Sequence, residues 1–221
     1  MTTAAVVTAA GSSSRMRMAE KKEYLVTGGR PVIAAAIGAL IHLDVVVTTV
    51  PEGHEEMVRL LVAPHLPEGG RDRVHYTVGG ATRQRSVHRA LEWLSPRRPD
   101  WVLIHDGARP WLSRELADRV LQGAMEHGAC IPLVRLSEAP KLLDDSNRIA
   151  GHLERHRVAA AQTPQGFAFP AVLEAHARAA QEGRPFYDDA EIWDAYVGKV
   201  AWVEGDRANV KITYPEDLAH K

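Results

Sequence analysis

Five short runs of β-branched and apolar residues recur through the first two thirds of this 221-residue chain, and segments of helical period separate them. The runs are residues 4–8, 45–50, 74–78, 101–105 and 129–136; the helical stretches are 31–41, 52–62, 82–94 and 113–127. Strands that are apolar almost without a break leave no face for water, so they must be covered on both sides. Crossovers of about ten to fifteen residues then make the sheet mostly parallel. Pro31 stands where a first helical turn tolerates proline, and Ser113 is placed to cap its helix. The pattern changes after residue 136. Residues 141–143, the turn-forming Asp144-Asp145-Ser146-Asn147 and residues 149–153 read as a hairpin. A helix over 170–182 should stop at Gly183. Another starts near Asp188, and short strands at 200–203 and 210–212 follow. The expected architecture is one Rossmann-like α/β domain over residues 1–221. It has a mostly parallel mixed sheet, helices on both faces and a projecting β-arm over 137–157.

Charge narrows the function. Lys and Arg total 27 against 28 Asp and Glu, so no basic excess points to nucleic acid, and any anion site must be built locally. Cys130 is the only cysteine, which excludes an intrachain disulfide and fits a reducing compartment. The opening MTTAAVVTAAG lacks the basic start of a signal peptide, and no apolar run approaches the ~20 residues of a membrane helix. A cytoplasmic protein with no membrane partner is expected.

The first strand runs straight into Ala9-Ala10-Gly11-Ser12-Ser13-Ser14-Arg15-Met16. Open parallel sheets bind ligands beyond the carboxyl ends of their strands, so this loop is a candidate site. Its small residues let backbone N–H groups approach phosphate oxygens. Arg15 and Lys22 supply charge suited to a triphosphate. The G-x-G-x-x-G of hydride-transferring folds and the P-loop pattern are both missing. On these residues alone, a solvated Ser-rich loop with two cations explains the segment equally well.

A-A-G-x-x-x-R-M followed by Lys22-Glu23-Tyr24-Leu25 resembles the sugar nucleotidyltransferases, and among them the cytidylyltransferases acting on 2-C-methyl-D-erythritol 4-phosphate. Thr8, Ser13 and Lys21 stand where that family usually has proline, glycine and proline. Four further segments are similar in the same order. Gly79-Gly80-Ala81-Thr82-Arg83-Gln84-Arg85-Ser86-Val87 is similar to the family's G-G-x-x-R-x-x-S-V; read without the family, it is a helix start capped by Thr82 with Arg83 and Arg85 in solvent. His105-Asp106-Gly107-Ala108-Arg109-Pro110 resembles H-D-A-A-R-P. Arg155 followed by Thr163-Pro164-Gln165-Gly166-Phe167 resembles the arm arginine and Q-T-P-Q-x-F. Residues 203–218, with Asn209 and Lys211, resemble the family's ending.

The resemblance implies a nucleotidyltransferase fold of the GT-A-like kind. It implies transfer of CMP from CTP to 2-C-methyl-D-erythritol 4-phosphate with release of pyrophosphate, a step toward isoprenoid precursors. Arg15, Lys22 and Lys211 would be catalytic. Ala9, Ala10, Gly11, Ser12, Gly80, Ala81, Ser86 and Asp106 would bind the nucleotide, and Arg109, Arg155 and Asp188 the acceptor. Asp106 would also hold Mg²⁺. The arm would make a homodimer. Ala139 replaces a threonine of the family, and Tyr187 and Glu191 replace short hydroxyl residues, all on the acceptor side. A ribitol 5-phosphate or other alditol-phosphate cytidylyltransferase therefore stays open, as does a nucleotide-binding paralogue without turnover. Asp188 and Asp189 also suit a plain helix N-terminus. His152 and His156 lack a carboxylate or cysteine cluster to complete a metal site.

Overall fold

A computed structural model of the chain describes residues 1–11 and 21–219. Its main sheet has eight strands. β1 (Thr3–Thr8) pairs in parallel with β4 (Val45–Val50), which pairs in parallel with β5 (Val74–Val78). On its other side β1 pairs in parallel with β6 (Trp101–Asp106). A small hairpin of β2 (Val26–Thr27) and β3 (Arg30–Pro31) lies apart from this sheet. The five runs read from the sequence are all strands; the last is β7 (Ala129–Arg135).

Alternate residues of β1 and β4 feed two separate cores, as the two-residue period of a strand requires. Ala5, Val7, Val46 and Val50 pack against α1 (Val32–Leu40), α2 (Glu55–Val62) and α4 (Arg114–His127). Ala4, Val6, Val45 and Val47 pack against α3 (Arg83–Leu94) and α5 (Phe169–Glu182), with Trp193 of α6 (Asp189–Tyr196). Fully burying one such valine or leucine is worth about 1.5–3 kcal/mol, which is why the central strands carry no exposed position. Thr82 and Ser113 cap α3 and α4 through their side chains as expected. Gly183 ends α5 in the left-handed region, at φ 67°.

The mixed character comes from a return path that the sequence did not announce. β10 (Ala159–Ala161) and β11 (Gln165–Ala168) run antiparallel along β7, and β11 also pairs antiparallel with β6. β11 therefore separates β6 from β7. Ala161 faces Leu133 and Gly166 faces Cys130, so five steps on one strand oppose three on the other. The two extra residues fall around Thr163–Pro164, a bulge at the carboxyl edge of β6. β12 (Ala201–Glu204) pairs in parallel with the far side of β7. The strand expected at 210–212 does not form. Ile212 buries its side chain with Val32, and its N–H donates to Ala108 O at 2.9 Å in place of a ladder.

β8 (Lys141–Leu143) and β9 (Ile149–His152) form the projecting arm, a separate two-stranded sheet. Its Leu142, Leu143 and Ile149 are exposed. Among the described residues no helix is long and apolar enough to cross a membrane.

Candidate active site

The carboxyl ends of β1, β4, β5 and β6 meet at one edge of the sheet, and close backbone contacts stitch them together. Ala9 N–H donates to Thr49 O at 2.8 Å, Gly79 N–H to Val50 O at 2.8 Å and Gly107 N–H to Thr8 O at 2.9 Å. A Cβ on Gly79 would come within 2.2 Å of Ala10 Cβ, so glycine there lets the two loops touch. Gly80 N–H donates to Ser86 Oγ at 3.0 Å, and that hydroxyl donates to Thr82 O at 2.9 Å. Ser86 thus shapes the turn from beneath, while Ala81 of that turn and Gly11 of the first loop are exposed.

Asp106, the last residue of β6, is the centre of the site. It is 6% exposed and faces three cations. Arg83 Nε donates to its Oδ1 at 3.0 Å. Lys211 Nζ lies 2.8 Å and Arg109 Nε 3.6 Å from its Oδ2. Burial pushes the carboxyl pKa up, but Arg83, Lys211 and Arg109 outweigh it and hold the group well below the ordinary carboxylate range. Its backbone N–H donates to Thr163 Oγ1 at 3.1 Å, and that oxygen is 3.0 Å from His105 Nδ1. Burial pushes His105 down to about 4, so the ring is neutral and structural.

The C-terminal loop brings Lys211 to this edge. Gln162 Nε2 donates to Asp206 O at 2.8 Å, and its Oε1 accepts from Asp206 N–H at 3.1 Å. Asn209, fully buried, donates from Nδ2 to Thr163 O at 2.8 Å and accepts at its carbonyl from Arg109 Nη1 at 2.7 Å. Lys22 Nζ donates to Ile212 O at 2.7 Å. Lysines 22 and 211, far apart in sequence, are thereby linked through the C-terminal loop: Lys22 holds the carbonyl of Ile212, next to Lys211, whose Nζ reaches Asp106.

Of the residues expected at the site, Ala9, Ala10, Gly80, Ser86, Asp106, Arg109, Lys22 and Lys211 gather at this edge. Ser12 and Arg15 lie outside the described residues. Asp188 caps α6, accepting from Glu191 N–H at 3.0 Å and from Gln165 Nε2 at 2.8 Å. Arg155 is exposed near the arm, with Nη1 donating to Ser137 O at 2.9 Å. It does not join the Asp106 cluster within this chain. Two members escaped the sequence reading. Arg83 is not solvated but bound to Asp106, and Asp189, fully buried, receives its other donor, Nη2, at 2.8 Å. The G-G-x-x-R spacing and the doubled aspartate were the only signals of that pair.

Among the described residues no group of three or more His, Cys, Asp and Glu is placed to hold a metal. Asp106 is the carboxylate at the centre of the cluster, but its oxygens are already engaged by Arg83, Lys211 and Arg109. Mg²⁺ keeps several waters and binds largely through substrate phosphates, so a direct bond to Asp106 would have to displace one of these cations.

An open, mostly parallel sheet with a basic cluster around one buried carboxylate at its carboxyl edge is the setting of a site for an anionic ligand such as a nucleotide. The chain belongs to the 2-C-methyl-D-erythritol 4-phosphate cytidylyltransferase family, whose sequence profile matches residues 3–221. It is 42% identical over 221 residues to the bifunctional enzyme IspD/IspF of Bradyrhizobium sp. (strain BTAi1), covering 99% of this chain and 55% of that one. A bifunctional enzyme IspD/IspF of Rhodopseudomonas palustris (strain HaA2) is 37% identical, with 99% and 54% covered. The chain spans about half the length of these curated relatives. The crystal structure of 2-C-methyl-D-erythritol 4-phosphate cytidylyltransferase from Thermus thermophilus is similar at a TM-score of 0.80 and 33% identity, covering 99% and 96%. That of 4-diphosphocytidyl-2C-methyl-D-erythritol synthase from Anaerococcus prevotii gives 0.83 and 26%, covering 99% and 93%.

Proposed function

We propose that the chain transfers CMP from CTP to 2-C-methyl-D-erythritol 4-phosphate and releases pyrophosphate. The observation that carries this reading is the convergence of Arg83, Lys211 and Arg109 on Asp106, with Lys22 bound to the same C-terminal loop, in a chain of this family. An oxygen of the acceptor's phosphate forms a bond to the α-phosphorus. The bond from that phosphorus to the α–β bridging oxygen breaks, and its electron pair leaves with pyrophosphate. A phosphate monoester has a second pKa of about 6 and is already anionic at pH 7, so no general base is needed. The neutral, buried His105 is not asked to be one. The protein's work is to align two polyanions and offset their repulsion. Lys22 and Lys211 supply positive charge to the triphosphate, with Arg15 expected to add to it, and Arg109 faces the acceptor. Mg²⁺ would supply further charge neutralisation through the phosphate oxygens, with Asp106 the carboxylate that would face it directly or through water.

The arm supports a homodimer. Its exposed Leu142, Leu143 and Ile149 have no covering surface among the described residues, and a partner would cover them. Arg155, exposed beside the arm, would then meet the acceptor's phosphate in the partner's site.

The test is pyrophosphate release from CTP with 2-C-methyl-D-erythritol 4-phosphate, with ribitol 5-phosphate and with no acceptor. Release with the first alone is expected. Release only with ribitol 5-phosphate would reassign the acceptor, and CTP binding without release under any acceptor would indicate a paralogue without turnover.

A further inference from the structure

Arg83 ties together two carboxylates that are 83 positions apart in sequence, Asp106 through Nε and Asp189 through Nη2. Asp189 is fully buried. Behind it His176, 1% exposed, sets Nε2 3.2 Å from Asp189 Oδ1. Neither Asp189 nor His176 can touch a ligand in the cleft. A buried carboxylate costs several kcal/mol of desolvation unless it is paired well, so this aspartate needs a reason to be there.

Its surroundings show what it holds. Gln165 clamps the start of α6, donating to Asp188 Oδ2 at 2.8 Å and accepting from Ala190 N–H at 3.0 Å. Asp189 is thereby fixed to the sheet through β11. Burial works against the charge on Arg83, but Asp189 and Asp106 outweigh it and raise the pKa of the guanidinium. Arg83 is planar, with donor directions set by its own geometry. By contrast, the terminal torsion of an aspartate is broad. Held at Oδ2 alone, Asp106 could swing; held at Oδ1 by an anchored guanidinium, it cannot.

We propose that Arg83, anchored by Asp189, is a positioning residue for cytidylyl transfer: it fixes the Asp106 carboxylate and so sets where Lys211 and Arg109 stand. This rests on the reaction proposed above. Arg83 acts through these two carboxylates, to which its Nε and Nη2 donate.

The test uses Asp189→Asn, Arg83→Lys and the double variant in the full chain. Asp189→Asn keeps the shape and one carbonyl acceptor, whereas Arg83→Lys keeps the charge but can reach only one carboxylate. Each single variant should lose about tenfold to a hundredfold in kcat, the range for small misplacements of a catalytic group. Calorimetric CTP Kd and the acceptor KM should change by less than about threefold, since the contact matters at the transition state. The double variant should be no worse than the poorer single one, because both act through one contact. Folded single variants with unchanged kcat, losses confined to CTP Kd, or losses that multiply in the double variant would each overturn the proposal. A readout independent of turnover is hydrogen exchange at the Arg83 Nε–H. It should be protected in the wild type and faster in Asp189→Asn; equal exchange in both would refute the anchor. If the wild type releases no pyrophosphate, the reaction is wrong, and this exchange measurement still decides whether the bridge exists. If Asp189→Asn does not fold, Arg83→Lys decides by its kcat and CTP Kd: a kcat loss with CTP Kd held supports the proposal, and an unchanged kcat overturns it.

Discussion

The carboxyl edge around Asp106 and the arm beyond β7 are opposites built by one chain. At the edge, charged groups are buried and each has named partners: Asp106 with three cations, Asp189 with Arg83, Lys22 with Ile212 O. On the arm, apolar side chains face outward and the strands pair only with each other. The first region is assembled within a single chain. The second has the character of a surface awaiting a counterpart, since isolated two-stranded hairpins are marginal in water. On the proposed reading the difference separates two halves of the chemistry: the described residues of the triphosphate side come from one subunit, and the acceptor side would borrow Arg155 from another.

The largest break should come at the edge. Lys211→Ala removes a charge proposed to serve the triphosphate, and kcat/KM should fall about a hundredfold to a thousandfold, as when a single transition-state donor is lost elsewhere. Acid should act on the same region. The unfolded His105 takes a proton near 6.5, whereas burial holds the folded ring down to about 4. Between those values the unfolded chain binds a proton that the fold refuses, so stability present above pH 6.5 is lost as pH falls toward 4. The loss is up to about 3 kcal/mol, and urea midpoints from pH 7 to 4.5 should show it, with a flatter profile in His105→Gln.

Arg155→Ala sharpens the comparison from the other side. Loss of a charged hydrogen bond should raise the acceptor KM about tenfold or more with little change in CTP binding. Mixing Arg155→Ala with Lys211→Ala subunits should restore part of the lost activity, because a mixed dimer carries one intact composite site; no recovery would confine the acceptor site to one chain. Gly79→Ala should cost about 1–3 kcal/mol by overpacking against Ala10. The smallest effect on the fold belongs to Leu142→Asp with Ile149→Asp. Thermal stability of the subunit should scarcely change, while sedimentation shifts from dimer toward monomer.

The parallel half of the fold was legible because its strands carry the signal that double-sided burial imposes: Val45–Val50, for instance, is buried throughout. β10 and β11 were not. Ala-Ala-Ala and Gln-Gly-Phe-Ala lack β-branched residues, and their pairing is set by neighbours far away in sequence. Residues 210–212 misled in the opposite sense, since Val-Lys-Ile has strand character but Ile212 was needed to fill a gap beside Val32. Asp106 and Lys211 could be named from their local segments. Arg83 with Asp189 could not, because helix-start chemistry explains an arginine after a Thr cap and an aspartate after an Asp cap equally well. Only the tertiary arrangement shows that one points inward to the other.

The insertion of β11 between β6 and β7 also orders the events of biosynthesis. A nascent chain that has emerged only through residue 135 contains both β6 and β7, but the strand that must join them has not yet been made. β5, β4, β1 and β6 can assemble as a parallel unit; β7 must wait until the chain has traversed the arm and come back. Closing that gap is a long-range step, of the kind that slows folding and leaves a strand edge exposed meanwhile. Asp106 sits on the waiting edge of β6, so the site's central carboxylate gains its Thr163 contact only when the last third of the protein arrives.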